Sequence, residues 1–197
     1  MESSDATSYP DSGDDPSRRP RSTRDRPAKP PLNDEVIVDA ALKILRADGL
    51  EAVTMRRVAS ALDTGPASIY VYINGRERLR QAMLERVTSS IEVEAPDATR
   101  WREQVHLLVR EWLDTLEAHP GIANVAAART PTEEHRPKIA DALLGFLSAG
   151  GIDAQDAAWA CDVLPLITAA SATAGTDDDH FEFAIDTFLA GLVARAD

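Results

Sequence analysis

Side chains able to hydrogen-bond phosphate oxygens are concentrated between residues 54 and 76 of the 197-residue chain. Their hydroxyl groups belong to Thr54, Thr64, Ser68, Tyr70 and Tyr72, and their guanidinium groups belong to Arg56, Arg57 and Arg76. Hydroxyls and arginines at short spacing are typical of surfaces that hold a phosphate backbone. The chemistry predicted for this segment is therefore binding and charge neutralisation, and not the making or breaking of bonds.

Residues with the chemistry of an enzyme are scattered along the chain. The sequence contains no glycine-rich phosphate loop, and no nucleophile has an evident base close to it. The four histidines, His106, His119, His135 and His180, lack the local spacing of a metal site. We therefore expect no catalytic residue, no metal, no cofactor and no enzymatic activity.

The phosphate-binding candidates fall on two short helices that a tight turn separates. Thr54 is a good N-cap for the first helix, and the turn Asp63-Thr64-Gly65 follows it. Pro66 then occupies the first position of the second helix, where its missing N–H has no penalty. An amphipathic helix that starts after Asn33 precedes this pair, and a linking helix over 76–94 follows it.

The stretch Leu32–Val87 resembles the N-terminal domain of the TetR family. The resemblance is carried by the segments AALKILRADGLEAVTMRRVASAL and DTGPASIYVYINGRERL. It implies a helix-turn-helix DNA-binding domain over 32–77, whose second helix enters the major groove. The implied DNA contacts come from Thr54, Arg56, Arg57, Thr64, Gly65, Pro66, Ala67, Ser68, Tyr70, Val71, Tyr72 and Arg76.

The second helix departs from the family pattern at its two ends. Tyr72 stands where a histidine is frequent, and Ala67 and Ser68 make the front of the helix small. We expect base recognition to depend on Ser68 and Tyr70, on apolar contact with thymine methyl groups, and on close backbone approach at Gly65.

The net charge of −12 is unevenly distributed along the chain. Residues 17–80 contain 13 Lys and Arg against 8 Asp and Glu, a net charge of +5. Residues 81–197 contain 8 against 20, a net charge of −12, and residues 1–16 contain five acids and no base. This asymmetry indicates a basic binding module joined to an acidic regulatory body.

Residues 1–31 form a basic arm that we predict to be disordered in isolation, because they contain almost no apolar side chains. The arginines of the arm are Arg18, Arg19, Arg21, Arg24 and Arg26. Several prolines keep this segment extended, and an extended arginine segment suits the minor groove. A solubilising tail without DNA contacts is the alternative.

The region 97–197 is predicted to be a helical ligand-binding and dimerisation domain. Its motifs Trp101-Arg102-Glu103-Gln104, His119-Pro120-Gly121 and Phe181-Glu182-Phe183 resemble the C-terminal domain of the tetracycline repressor type. The fold class expected for the whole chain is therefore all-α, with about nine helices. A three-helix helix-turn-helix domain is joined in it to a larger helical domain.

The resemblance implies an effector in the core of each subunit and dimerisation through the last two long helices. The candidate pocket residues are Trp101, His106, Trp112, His119, Phe146 and Trp159, for which ordinary core packing is the alternative. The candidate dimer residues are Cys161, Leu164, Thr168, Phe181, Ile185, Phe188 and Leu192, for which packing within one subunit is the alternative.

The predicted function is that of a bacterial, sequence-specific transcriptional regulator. We expect a homodimer that binds a pseudo-palindromic double-stranded DNA operator and is released by an unidentified small-molecule effector. A ligand-independent activator or architectural DNA-binding factor is the alternative. A single cysteine, a polar N-terminus and no apolar run near the roughly 20 residues of a membrane span predict a cytoplasmic protein without a membrane partner.

Deletion of residues 1–30 tests the basic arm. We expect weaker DNA binding and a flatter salt dependence, because each phosphate contact contributes about −0.9 to the slope of log K against log salt. Fluorescence anisotropy with a labelled duplex between 50 and 200 mM salt, roughly the range where such slopes are resolved, measures the effect. An unchanged slope would exclude the arm from the interface.

Overall fold

The computed structural model describes residues 31–128 and 138–196. The chain divides into two units, Met1–Pro31 and Leu32–Asp197. The predicted arginine arm, Arg18 to Arg26, lies outside the described residues, as does His135. The account below concerns the second unit.

The described part of the second unit contains nine α-helices, one 3₁₀ turn and no strand, which confirms the all-α prediction. The helices are α1 (Asp34–Asp48), α2 (Met55–Ala61), α3 (Pro66–Tyr70), α4 (Arg76–Thr88), α5 (Trp101–Glu117), α6 (Ile122–Ala127), α7 (Lys138–Ala149), α8 (Ala154–Ala174) and α9 (Asp178–Ala196). The 3₁₀ turn is Leu50–Ala52, between α1 and α2.

Local capping signals account for where the first helices begin and end. The Asn33 side chain accepts a hydrogen bond from the Val36 N–H at 2.8 Å and so caps α1. Gly49 ends α1 at a φ of 80°, a conformation that favours glycine, and its N–H donates to the Leu45 carbonyl. Thr54 caps α2 in the predicted way, and Pro66 stands at the start of α3.

The linking helix is shorter than the sequence predicts, because α4 ends at Thr88 and not near residue 94. Thr88, Ser89 and Ser90 follow one another there, and each hydroxyl donates to a carbonyl three or four residues earlier. Such side-chain bonds to the backbone compete with the helical hydrogen bonds. Three in succession therefore account for the end of the helix.

The helices pack around a continuous apolar core. In the body, α5, α7 and α8 contact one another, and α6 packs against α8. On the other side, α4 contacts α1 as well as α5 and α6. The three helices α1, α2 and α3 are thus joined to the body largely through α4.

Two glycines permit close approaches between these helices. A side chain at Gly121 would meet Leu45 and Leu50 at 3.2 and 3.3 Å, so the start of α6 lies directly against the end of α1 and the 3₁₀ turn. A Cβ atom at Gly150 would lie 2.4 Å from the Trp101 ring. This contact seats the end of α7 on the first residue of α5.

Helix α8 corrects the expectation that no apolar stretch reaches the length of a membrane span. The most apolar window within its 21 residues has a mean hydropathy of 1.3. By length and composition alone, α8 is therefore long and apolar enough to cross a membrane. One third of that window is buried in the fold. The apolar character reflects burial on one side and an exposed apolar surface on the other, which is described below.

Gly150→Ala tests the contact between the end of α7 and Trp101. We expect the free energy of unfolding to fall by about 1–3 kcal/mol, because the added methyl group has to displace an aromatic ring in a packed core. Urea denaturation measures the change. Ser148→Ala, at an exposed position on the same helix, is the control and should stay within about 0.5 kcal/mol. An unchanged midpoint for Gly150→Ala would contradict this packing.

Candidate nucleic-acid interface and ligand cavity

Helix α3, with residues 71–73 that follow its last turn, presents one apolar face to the core and a row of large side chains to solvent. Ile69 and Ile73 are buried, whereas Tyr70, Val71 and Tyr72 are 50%, 78% and 45% exposed. Tyr70 is therefore not a core residue. The end of α3 forms an exposed aromatic and apolar surface on an otherwise small helix.

The turn before α3 leaves its first residues open to solvent. Asp63 has a φ of 50°, the only positive value outside glycine in the described residues, and the Thr64 N–H donates to the Ala59 carbonyl. Thr64 and Ser68 are half-buried, whereas Gly65, Pro66 and Ala67 are exposed. The predicted contact residues of the turn and of α3 thus form one continuous surface.

Arginines flank this surface, and carboxylates from neighbouring elements pair with three of them. Arg57 is paired with Asp48 at the end of α1. Arg76 lies 3.1 Å from Glu51 of the 3₁₀ turn, and the same carboxylate also contacts Arg80 at 3.4 Å. Arg56 is exposed beside them. Arg57 and Arg76 are therefore oriented in advance of any contact with an external anion.

A cavity of about 270 Å³ lies in the body, with walls from α4, α5, α6, α7 and α8. The lining is mostly apolar. It consists of Leu84, Glu85, Thr88, Ser89, Trp112, Ala126, Lys138, Ile139, Ala140, Cys161 and Pro165. A cavity of this size and character is typical of a site for a small organic molecule.

Of the six pocket candidates from the sequence, Trp112 lies in the wall of this cavity. Phe146 is buried and lines two neighbouring clefts. Trp101 packs on Gly150, with the Arg102 guanidinium 5.2 Å from its ring centre. Nδ1 of His119 lies 2.9 Å from the Thr115 carbonyl.

The other two candidates, His106 and Trp159, lie on α5 and α8 away from the cavity. The ring nitrogens of His106 are each 3.0 Å from a carboxylate of α9, Nδ1 from Glu182 and Nε2 from Asp186. This contact ties α5 to α9. Trp159 is 54% exposed. Neither residue lines this cavity. Helical spacing alone does not reveal which neighbour each face of a helix contacts.

A second ion pair joins α5 to α9 at the beginning of the last helix. Arg110 lies 2.7 Å from Asp178, and its hydrogen bond to that carboxylate lowers the pKa of Asp178 below its ordinary value. The same contact raises the pKa of Arg110.

Five of the seven candidate dimer residues are buried within the single chain, which favours the alternative of packing within one subunit for those five. Leu164, Thr168, Phe181 and Ile185 are fully buried within the single chain, and Leu192 is nearly so. Phe188 is partly buried, and Cys161 lines the cavity. Both helices carry apolar residues on more than one face, and the face selected from the sequence is the one that packs internally.

The outward faces of α8 and α9 expose large apolar side chains. Trp159 and Leu166 of α8 are 54% and 48% exposed, and Phe183 of α9 is 69% exposed. Small exposed residues continue the surface along both helices, namely Ala170, Ala190, Gly191 and Ala194. We call this surface, from Trp159 to Ala194, the α8–α9 face.

Sequence reasoning missed most of the cavity wall. Leu84 and Thr88 belong to the linking helix, which the sequence places beside the DNA-binding helices, and Lys138 and Ile139 belong to the start of α7. One signal was available in Pro165, because a proline inside a helix removes a backbone hydrogen bond and often marks a functional position.

Two family models match the chain. Residues 37–83 match the bacterial regulatory proteins of the tetR family, and residues 95–177 match the tetracyclin repressor-like C-terminal domain. The first match covers α2, α3 and most of α1 and α4. The second covers α5 to α8, which form the cavity wall together with α4.

Known relatives agree with these matches. The HTH-type transcriptional repressor DrrR1 of Streptomyces coeruleorubidus is 38% identical over 120 residues, which are 60% of this chain and 42% of that protein. The tetracycline repressor protein class C of Escherichia coli is 27% identical over 139 residues, which are 70% of this chain and 63% of that protein. The matched stretch thus spans about half the length of these relatives.

A solved structure gives the same result for the fold. Apo ActR from Streptomyces coelicolor is 29% identical and superimposes with a TM-score of 0.77, over 86% of this chain and 98% of ActR. The helix-turn-helix, the helical body and the two matched family models lead to one conclusion. The chain belongs to the TetR family of bacterial regulatory proteins.

Proposed function

We propose that this protein is a cytoplasmic, sequence-specific DNA-binding regulator and not an enzyme. In this proposal it acts as a homodimeric repressor that a small-molecule effector releases from a pseudo-palindromic operator. The observation that carries the proposal is the exposed end of α3, where Tyr70, Val71 and Tyr72 stand in solvent on a helix-turn-helix. Neighbouring large apolar side chains exposed in this way mark an interaction surface.

The major groove is the proposed site of α3. A helix-turn-helix places the first residues of its second helix against base edges, and here these are the exposed Pro66 and Ala67 and the half-buried Ser68. Their small size lets the backbone approach the bases closely. Tyr70 and Tyr72 then supply hydroxyls for phosphates and ring surface for thymine methyl groups.

The arginines beside α3 supply the electrostatic part of the proposed interface. Arg57 and Arg76 are held by Asp48 and Glu51 in exposed ion pairs. Such pairs contribute little to stability, so phosphates can replace the carboxylates at low cost. We propose that Arg56 contacts phosphate directly and that the arm before residue 32 extends the contact into a minor groove.

The α8–α9 face is the proposed homodimer interface. Trp159, Leu166 and Phe183 are large enough to contribute most of the binding energy, and the small residues let paired helices approach closely. Two-fold pairing also places two copies of α3 on one side of the DNA. This arrangement is required to contact two half-sites about 34–36 Å apart.

Effector release is proposed because α4 lines the cavity and also contacts α1. A ligand that prefers one position of α4 shifts the population away from the DNA-binding arrangement. The preference has to be several kcal/mol to convert mostly bound into mostly free protein. Solved structures of ActR contain (S)-DNPA or actinorhodin. A ligand-independent role, by contrast, does not account for the apolar cavity.

Binding to the DNA upstream of the protein's own gene tests the regulatory function. We expect the wild type to bind this duplex more tightly than a scrambled duplex of the same composition, as measured by fluorescence anisotropy. Arg56→Ala should weaken binding to both duplexes and reduce the salt slope by about 0.9 per subunit, because one phosphate contact is lost.

The matched control is Arg102→Ala, which removes an exposed arginine from α5 in the body. It should leave the salt slope unchanged. Equal affinity of the wild type for the two duplexes would contradict sequence-specific binding. A lowered slope in the control would contradict the location of the interface.

Trp159→Glu tests the homodimer. We expect sedimentation velocity to give a dimer for the wild type and a monomer for the variant. Burial of a carboxylate in the apolar α8–α9 face costs more than the single guanidinium of Arg195, 5.9 Å from the Trp159 ring, can offset. Leu107→Glu is the control, since Leu107 of α5 has the same exposed fraction of 54%. A monomeric wild type, or a Trp159→Glu variant that remains dimeric, would contradict this interface.

A further inference from the structure

The carboxylate of Glu51 lies between two arginines of α4, on the side of the helix-turn-helix. Its Oε2 atom is 3.1 Å from the Arg76 guanidinium, and its Oε1 atom is 3.4 Å from the Arg80 guanidinium. The Glu51 side chain is 85% exposed and belongs to the 3₁₀ turn between α1 and α2. A negative charge thus stands at the edge of the surface that we propose to contact DNA.

The two arginines differ in how far an external anion can reach them. Arg76 is the first residue of α4, and its side chain is 44% exposed. The Arg80 side chain, one turn later, is 23% exposed and lines a cleft together with Pro120 and Gly121 at the start of α6. Arg76 is therefore the partner of Glu51 that a phosphate can approach, whereas Arg80 is directed toward the body.

A phosphate and a carboxylate bind to a guanidinium group in the same way, through charge-assisted hydrogen bonds to its N–H donors. A phosphate that reaches Arg76 brings a second negative charge close to Glu51, and like charges a few ångströms apart repel each other. The contact with Arg80 keeps the Glu51 carboxylate nearby. Part of the attraction between Arg76 and the phosphate is therefore offset.

From this arrangement we propose that Glu51 competes with DNA phosphate for Arg76 and so lowers the affinity of the protein for DNA of any sequence. The inference rests on the proposed function, because it concerns the electrostatic part of the proposed DNA interface. Phosphates carry no sequence information, so the competition weakens binding to the operator and to other DNA alike. Arg80 moderates the competition, since its charge partly neutralises the carboxylate.

A purely structural role for Glu51 is the opposing explanation, because the same contacts join the 3₁₀ turn to α4. The two ion pairs are exposed at the carboxylate and contribute little to stability. Helix α4 is held independently of them, since it contacts α1 and its residues Leu79 and Met83 are fully buried. The two roles predict opposite changes in DNA affinity when the carboxylate is removed.

Glu51→Gln tests the proposal, because it removes the charge and keeps the size of the side chain. The matched control is Glu103→Gln in α5 of the body. Glu103 is 59% exposed and lies 2.9 Å from Arg100, so this variant changes the net charge by the same amount and also breaks an exposed ion pair. Two properties of the full-length proteins are measured. The first is the salt concentration that elutes each protein from a heparin column, and the second is the affinity for the upstream and scrambled duplexes by fluorescence anisotropy.

We expect Glu51→Gln to elute at higher salt than the wild type and to bind both duplexes roughly fivefold more tightly, because one exposed pair per subunit no longer opposes the phosphate. The salt slope should steepen by up to about 0.9 per subunit. Glu103→Gln should match the wild type. In an Arg80→Met background the gain from Glu51→Gln should be larger, because the carboxylate there keeps Arg76 as its one partner among the described residues.

Unchanged or weaker binding by Glu51→Gln, or an equal gain in Glu103→Gln, would overturn the inference. Heparin and the scrambled duplex contain no operator. Equal affinity of the wild type for the two duplexes would therefore contradict the proposed sequence-specific function and leave the test of Glu51 intact. A wild type that binds neither heparin nor either duplex would overturn both.

Discussion

The position of α4 is the constraint on which the rest of the structure depends. This helix contacts α1 on the side of the helix-turn-helix and α5 and α6 in the body, and its residues Leu84 and Thr88 line the cavity. Because packed interiors are nearly incompressible, a molecule that displaces α4 also changes the place of the helices that rest on it. One short helix thus links the surface proposed to meet DNA with the space proposed to hold an effector.

Exposed ion pairs join the arginines beside the helix-turn-helix to carboxylates of α1 and of the 3₁₀ turn. Glu51 contacts Arg76 and Arg80 of α4, and Asp48 holds Arg57 of α2. The overall acidity of the chain belongs elsewhere, to the body and to the first 16 residues. The exposed ion pairs contribute little to stability.

Helix ends could be predicted where a local chemical signal marks them. Asn33, Thr54 and Pro66 stand at the starts of α1, α2 and α3 as the sequence indicates, because a cap or a proline acts through its nearest backbone groups. The end of α4 was predicted too late. Three successive hydroxyl groups, from Thr88 onward, compete for helical carbonyls there, and such competition has no strong sequence signature.

The sequence by itself determined the all-helical class and the family, because both depend on residue types at short spacing. Only the tertiary structure decided which faces of α8 and α9 lie inside. Leu164 and Phe181 are buried, whereas Trp159 and Phe183 are exposed, although all four are apolar. The cavity, too, required α4 and α7 to meet around Trp112. In a helix with apolar residues on several faces, the local sequence does not indicate which neighbour each face contacts. Packing between segments distant in the chain decides those contacts.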